Sequence, residues 1–201
     1  MLLYGVHIST ALAFSLVQAI VAAVWILQYG SARKRRGYSE GRQPVARDNW
    51  FRTVGKIIFA GKNLLTLASF WTSSKLLLLF WHADRFRLAG LVVLVAATLL
   101  CIKSMRDLGA NYSPCFDSHK PFRFVTTGIY RWVRHPLYLA NILQGLGYVI
   151  ASGSMWVLGL SAYGIFKIVR ALLKEESYLR KEFPGYERYQ SRTSRLIPFV
   201  Y

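Results

Sequence analysis

Three polar groupings in the second half of this 201-residue chain combine side chains suited to holding a charged small molecule. The first is Gly128-Ile129-Tyr130-Arg131-Trp132-Val133-Arg134-His135-Pro136-Leu137-Tyr138. Proline disfavours α geometry at the residue before it and suits the first helical position, so the chain should bend at His135 and begin a helix at Pro136. The first-turn N–H groups of that helix would welcome an anion. Beyond the bend, Arg134, Tyr138, Asn141 and Tyr148 recur at helical spacing, with Gln144 between the last two. The second grouping is Lys174-Glu175-Glu176. Neighbours on a helix point about 100° apart, so the two acids cannot do the same job. One of them can grip a ligand's ammonium; the plainer alternative is surface pairing of Glu176 with Arg180. The third is Phe183-Pro184-Gly185-Tyr186-Glu187-Arg188-Tyr189, ending in Arg195-Leu196-Ile197-Pro198. Pro184-Gly185 breaks the helix and sets Tyr186 and Tyr189 one turn apart, an arrangement whose ordinary use is an interfacial aromatic belt.

The elements that must position these groups are apolar. Hydrophobic residues make up 54% of the chain and aromatics 15%, which excludes a disordered segment. A formal charge of +17 would suit a nucleic-acid binder, but such proteins carry their charge on soluble domains. Here Met1–Ala32 and His135–Phe166 contain no charged residue at all, and each is long enough to cross a bilayer. The chain therefore reads as an all-α integral membrane bundle, with no nucleic-acid partner. Cys101 lies in an apolar stretch and Cys115 in a polar one, too few ligands for a metal centre and no basis for a disulfide; both are expected to pack as small hydrophobes.

Five transmembrane helices fit the pattern. The first reads as about Ile8–Tyr29, followed rather than preceded by Arg33-Lys34-Arg35-Arg36, the reverse of a signal peptide. The second reads as Ile57–Trp81, with Lys75 snorkelling and Lys62 either snorkelling or facing other helices. The third is Leu88–Ile102, extended by its flanks. His135–Phe166 is long for one ordinary span and short for two. The plainer alternative is a single tilted span, which would put the C-terminus on the opposite side; Ala151-Ser152-Gly153-Ser154, however, supplies turn chemistry in its middle. A tight hairpin follows, with arms Pro136–Ile150 and Met155–Val169, and then a C-terminal helix on the cytoplasmic side. Segments 33–56, 103–134 and 167–195 hold 22 of the 26 Lys and Arg residues, which places them in the cytoplasm and the N-terminus outside. Residues 1–105 thus form three N-terminal spans, and 106–201 a second unit carrying all three polar groupings.

In order and spacing, Gly-Ile-Tyr-Arg-x-Val-Arg-His-Pro-x-Tyr, the hairpin, Glu-Glu, Phe-x-x-Tyr-x-x-Tyr and Arg-Leu-x-Pro together resemble the isoprenylcysteine carboxyl methyltransferase family. That family belongs to a wider group of membrane methyltransferases that includes phospholipid N-methyltransferases. The resemblance covers residues 106–201, beginning at Asp107-Leu108-Gly109 and Asn111-Tyr112-Ser113. It implies a cytoplasmic-side pocket for S-adenosylmethionine lined by Val125, Gly128, Tyr130, Arg134, His135 and Tyr138, with Glu175 and Glu176 as its acidic side. Arg195, Glu176 and Arg134 are the implied catalytic residues, Arg195 acting on the cofactor or on a substrate carboxylate. The resemblance departs at Phe122-Arg123-Phe124-Val125, where the family has His-x-Leu-Val; His119 lies three residues too early to fill that place directly.

The residues suit that cofactor. A sulfonium, an ammonium and a carboxylate call for aromatic surface, an acid and a base, and cation–π contact is worth roughly 0.5–2 kcal/mol. A carboxylate acceptor, already ionised at a pKa of about 3.5, needs no general base. Bidentate capture would mute its nucleophilicity, so Arg195 is expected to touch one acceptor oxygen or the cofactor instead. An amine or thiol acceptor would need a base, for which His135 or a Glu is the candidate. The expected partners are a lipophilic or prenylated acceptor and membrane lipid.

Overall fold

The computed structural model describes residues 2–3, 6–34, 49–71, 84–112 and 124–198. A two-residue antiparallel pair, β1 (Leu2–Leu3) with β2 (Val6–His7), precedes five long helices. These are α1 (Ile8–Lys34), α2 (Asn49–Trp71), α3 (Asp84–Leu108), α4 (Pro136–Ser152) and α5 (Met155–Glu182); a five-residue helix, α6 (Tyr186–Gln190), follows. The protein is an all-α membrane bundle. By length and apolar composition α3 and α5 are each able to cross a membrane. Every long helix also turns large apolar side chains outward, among them Leu16, Leu64, Val92, Leu99, Leu146 and Phe166. Such a surface suits lipid rather than water.

Local chemistry explains the ends of these helices. Asp84 opens α3 and Arg106 lies in its last turn, each complementing the helix dipole. Pro136 occupies the first turn of α4, and Gly153 ends it in the left-handed conformation (φ 61°), its N–H returning to Val149 O at 2.9 Å. Ser154 N–H donates to Ser152 Oγ at 3.2 Å, and α5 starts one residue later. The expected hairpin is therefore present, with two residues in its turn. Its second arm is longer than the sequence suggested: α5 runs unbroken past Val169 to Glu182, because nothing between Arg170 and Glu182 breaks a helix. α2 begins at Asn49 rather than Ile57, and its expected stretch to Trp81, with Lys75, lies outside the described residues beyond Trp71. Arg35 and Arg36 of the basic cluster lie outside them too.

The core sits between α1, α2, α3 and the hairpin. Phe14 and Phe70 stack with centroids 4.0 Å apart, packed with Leu94, Tyr148, Ala151 and Val157. α3 and α4 approach closely there. A Cβ on Gly90 would lie 2.4 Å from the Ala151 backbone nitrogen, and one on Gly147 would lie 2.9 Å from Leu94. Polar groups inside the bundle face protein, as their cost in lipid requires. Tyr148 OH donates to Asn63 Oδ1 at 2.9 Å, and Gln18 Nε2 donates to Asn63 O at 2.6 Å. Lys62 takes the inward course, its ammonium 5.3 Å from the Tyr148 ring centroid.

Candidate functional site

Opposite the hairpin, two stretches of irregular backbone are zipped together. Gly128–Arg131 makes a 3-10 turn, and the chain then extends through Val133, Arg134 and His135 into α4. The tail after α6 runs parallel to it, with Val133 bridged to Ser194. Arg134 N–H donates to Ser194 O at 2.9 Å, His135 N–H to Arg195 O at 3.1 Å, and Ser194 N–H to Trp132 O at 3.2 Å. The bend that Pro136 imposes exposes these backbone groups, and the tail satisfies them.

Glu176 lies beneath this zipper, fully buried on the polar extension of α5, beyond the apolar stretch. Its Oε1 accepts from Arg134 Nε at 3.1 Å and sits 3.3 Å from His135 Nε2; its Oε2 is 3.1 Å from Arg195 Nη2. Arg195 Nε also reaches Oε1 at 3.4 Å, so this guanidinium spans both oxygens of Glu176. Burial alone would raise the carboxyl pKa. The His135 hydrogen bond, the charges of His135 and Arg195, and the Arg134 hydrogen bond outweigh it and bring the pKa down to about 2. The pairing of Glu176 with Arg180 is corrected: Arg180 Nε meets only the backbone carbonyl of Glu176, at 3.4 Å. Arg134 in addition donates through Nη1 to Gln190 O at 2.8 Å and to Thr193 O.

Glu175, one residue earlier, has a different setting. It is half-buried and accepts the Tyr138 hydroxyl at 2.7 Å. The 100° step between adjacent helical positions separates the two acids in this way.

An aromatic group covers the site. Phe124 meets Tyr186 edge-on at 5.5 Å and Tyr189 at 5.6 Å, and Tyr189 OH donates to Tyr130 O at 2.5 Å. Tyr186 is 1% exposed and Tyr189 half-buried, so Tyr186 packs internally rather than in an interfacial belt. The hydroxyls of Tyr130 and Tyr186 are buried without a hydrogen-bond partner. Burial raises both phenol pKa values, reinforced at Tyr130 by the nearby Glu175 charge and at Tyr186 by that of Glu176.

The structure thus brings Tyr130, Arg134, His135, Tyr138, Glu175, Glu176 and Arg195 to one end of the bundle, with Val125 and Gly128 in the loop leading to Tyr130. Asn141 donates to Leu137 O in its own helix, and Gln144 is buried farther along α4. His119 and Cys115 lie outside the described residues. Sequence reasoning missed the Gln190 and Thr193 carbonyls, which are backbone groups that no residue type announces. Among the described residues no cluster of His, Cys, Asp and Glu could hold a metal ion. Beside the polar cluster, a cleft of about 380 Å³ is lined by Leu100, Ile129, Trp132, Pro136, Leu139 and Pro198. That volume is within the range of small-molecule sites, and its walls are apolar.

Residues 86–185, half of the chain, match the family model described as phospholipid methyltransferase. Methanethiol S-methyltransferase 1 of Bradyrhizobium diazoefficiens is 26% identical across 97% of this chain and 70% of its own length. Nickel-cobalt-cadmium resistance protein NccN of Alcaligenes xylosoxydans xylosoxydans is 30% identical over 52% of each chain. Methanethiol S-methyltransferase of Crocosphaera subtropica is 25% identical over 75% of this chain and 65% of its own. The family match begins well before residue 106 and ends at Gly185, so Arg195 lies beyond it.

Proposed function

From the premise that the chain belongs to the phospholipid methyltransferase family, we propose that it transfers a methyl group from S-adenosylmethionine to a lipophilic acceptor at the end of the bundle that holds Glu175 and Glu176. The observation that carries this reading is the convergence of Arg134, His135, Glu175, Glu176 and Arg195 from three separate stretches of chain. The donor set fits the cofactor. Glu175 offers a half-buried carboxylate for an ammonium, Arg134 and Arg195 supply positive charge for a carboxylate, and the rings of Tyr130, Tyr138, Tyr186 and Tyr189 suit a sulfonium. The buried hydroxyls of Tyr130 and Tyr186 are donors awaiting an acceptor. When bound, S-adenosylmethionine supplies an electrophilic methyl carbon on a sulfonium, whose sulfur departs as a neutral thioether.

The chain's own residues then position and exclude water. Backbone at Val125–Gly128, with His135 and Tyr138, lines the cofactor side, while Glu176 holds Arg134, His135 and Arg195 in register. Positioning of this kind is worth roughly 7–11 kcal/mol of barrier. An isoprenylcysteine-type carboxylate is the acceptor this geometry favours, because His135 and Glu176 are engaged with each other and a carboxylate needs no base. Its apolar part would enter from lipid through the cleft bounded by Leu100 and Leu139. We place residues 106–201 as the transferase core, its hairpin in the membrane and its site on the cytoplasmic side, and residues 1–105 as three supporting spans, following the distribution of Lys and Arg.

A second reading, S-methylation of a small thiol, is favoured by the similarity to a methanethiol S-methyltransferase along 97% of this chain. There His135 or Glu175 would take the thiol proton. Purified protein with methyl-labelled cofactor separates the readings: base-labile label on a prenylcysteine supports the ester, and volatile or base-stable label on a thiol supports the second. Absence of saturable cofactor binding at millimolar concentration would defeat both.

A further inference from the structure

Asp107, in the last turn of α3, meets the loop that leads into the site. Its Oδ2 accepts the backbone N–H of Ile129 at 2.8 Å, 22 residues away in sequence. Lys103, one turn back on α3, donates to both Asp107 oxygens at 2.5 and 2.6 Å and so fixes the carboxylate's rotamer. Gly128 faces the same group: with φ +62° it occupies the left-handed region, and a Cβ there would lie 2.3 Å from Asp107 Oδ2. The carboxylate fills the space a side chain at 128 would need. Thr127, at the N-cap position of the 3-10 turn, makes no capping hydrogen bond with its side chain. Asp107 supplies that bond from another helix, where a negative charge also complements the first-turn N–H groups. Tyr130 N–H then closes on Thr127 O, and both Trp132 and Val133 N–H groups close on Ile129 O. The turn is one hydrogen-bonded unit, and its placement sets where Tyr130 and Arg134 stand.

We propose that Asp107 is a positioning residue: held by Lys103 and fitted to Gly128, it caps the Gly128–Arg131 turn and thereby sets the affinity of the site for its cofactor. This rests on the methyltransferase reading above. Asp107 touches neither cofactor nor acceptor in it, and its effect passes through the turn.

The test uses the full chain in detergent or nanodiscs, with S-adenosylmethionine binding measured by calorimetry, alongside thermal unfolding and steady-state rates. Asp107→Ala should raise the cofactor Kd and KM about tenfold, the worth of one charge-assisted hydrogen bond, with kcat and melting temperature little changed. Asp107→Asn keeps an oxygen for Ile129 N–H and should restore affinity to within about threefold of wild type. Gly128→Ala should match Asp107→Ala, and the double variant should be no worse than the weaker single one. Wild-type affinity in Asp107→Ala would overturn the proposal and leave the methyltransferase reading standing. Equal loss of binding and melting temperature in Asp107→Ala and Asp107→Asn would also overturn it, showing a purely structural role. Failure of the wild type itself to bind cofactor would defeat both readings at once.

Discussion

At the hairpin end, α3 and α4 close until Gly90 has no room for a Cβ against Ala151. At the other end an apolar cleft lies beside the site, bounded by Leu100 of α3 and Leu139 of α4, and the tail from far along the chain pairs with Val133 and reaches the cleft at Pro198. The first contact is made by small residues and dispersion, which neither pH nor salt disturbs. The second is made by one buried carboxylate shared among two arginines and a histidine. Cohesion at the hairpin end belongs to the fold, and cohesion at the site end can be undone while the helices stay packed. Under the proposed function, separating the two would let a membrane bundle keep its shape while a charged ligand enters and leaves.

The largest test of this contrast is Glu176→Ala. Removing the shared carboxylate leaves Arg134, His135 and Arg195 confronting one another, at a cost of about 3–5 kcal/mol. Hydrogen exchange should accelerate at the amides of Arg134, His135 and Ser194, which form the zipper, and stay slow at Gly153 in the hairpin. Acceleration at both ends alike would break the comparison. Acid should open the same zipper in the wild type. The Glu176 pKa is depressed from 4.5 to about 2, so its stabilising contribution is complete above pH 4.5 and disappears as pH falls toward 2. Proteolysis of the tail across that range should follow this curve and lose it in Glu176→Gln. At the opposite end, Gly90→Ala forces a methyl against backbone and should cost about 1–3 kcal/mol of global stability. Cofactor affinity of the folded fraction should hold to within about twofold, since the site lies at the far end of the helices. The smallest effect on stability belongs to Glu175→Gln. If this half-buried acid holds the cofactor as proposed, its loss should change unfolding by under about 0.5 kcal/mol while weakening cofactor binding about tenfold. An unchanged cofactor affinity in Glu175→Gln would leave Glu175 a structural partner of Tyr138 only.

Local chemistry made the hairpin legible: Ser152-Gly153-Ser154 offered a turn against the alternative of one tilted span, and Pro136 suited the first turn of a helix. The list of residues meeting at the site was legible for a different reason, the recurrence of a spaced pattern from Gly128 to Arg195. Who pairs with whom was not. The sequence offered Glu176 an arginine one helical turn away at Arg180, yet its partners are 19, 41 and 42 residues distant, because the Arg180 side chain points outward and the tail folds inward. Lys62 was legible as an anomaly within an apolar stretch; that it sits against Tyr148 depends on how α2 and α4 pack. The reach of α5 past its apolar arm was hidden as well, since hydropathy marks where lipid ends and not where a helix does.

The parallel pairing of Ser194 with Val133 also has a consequence for synthesis. A ribosome that has just added Gln190 has already produced every described helix, but not the tail strand that carries Ser194 and Arg195 over Glu176. Until residue 195 has cleared the exit tunnel and swung back to the bend at His135, the nascent protein is a packed bundle with an unassembled pocket. The side chains that surround Glu176 are thus completed only after the helices that carry them have been made.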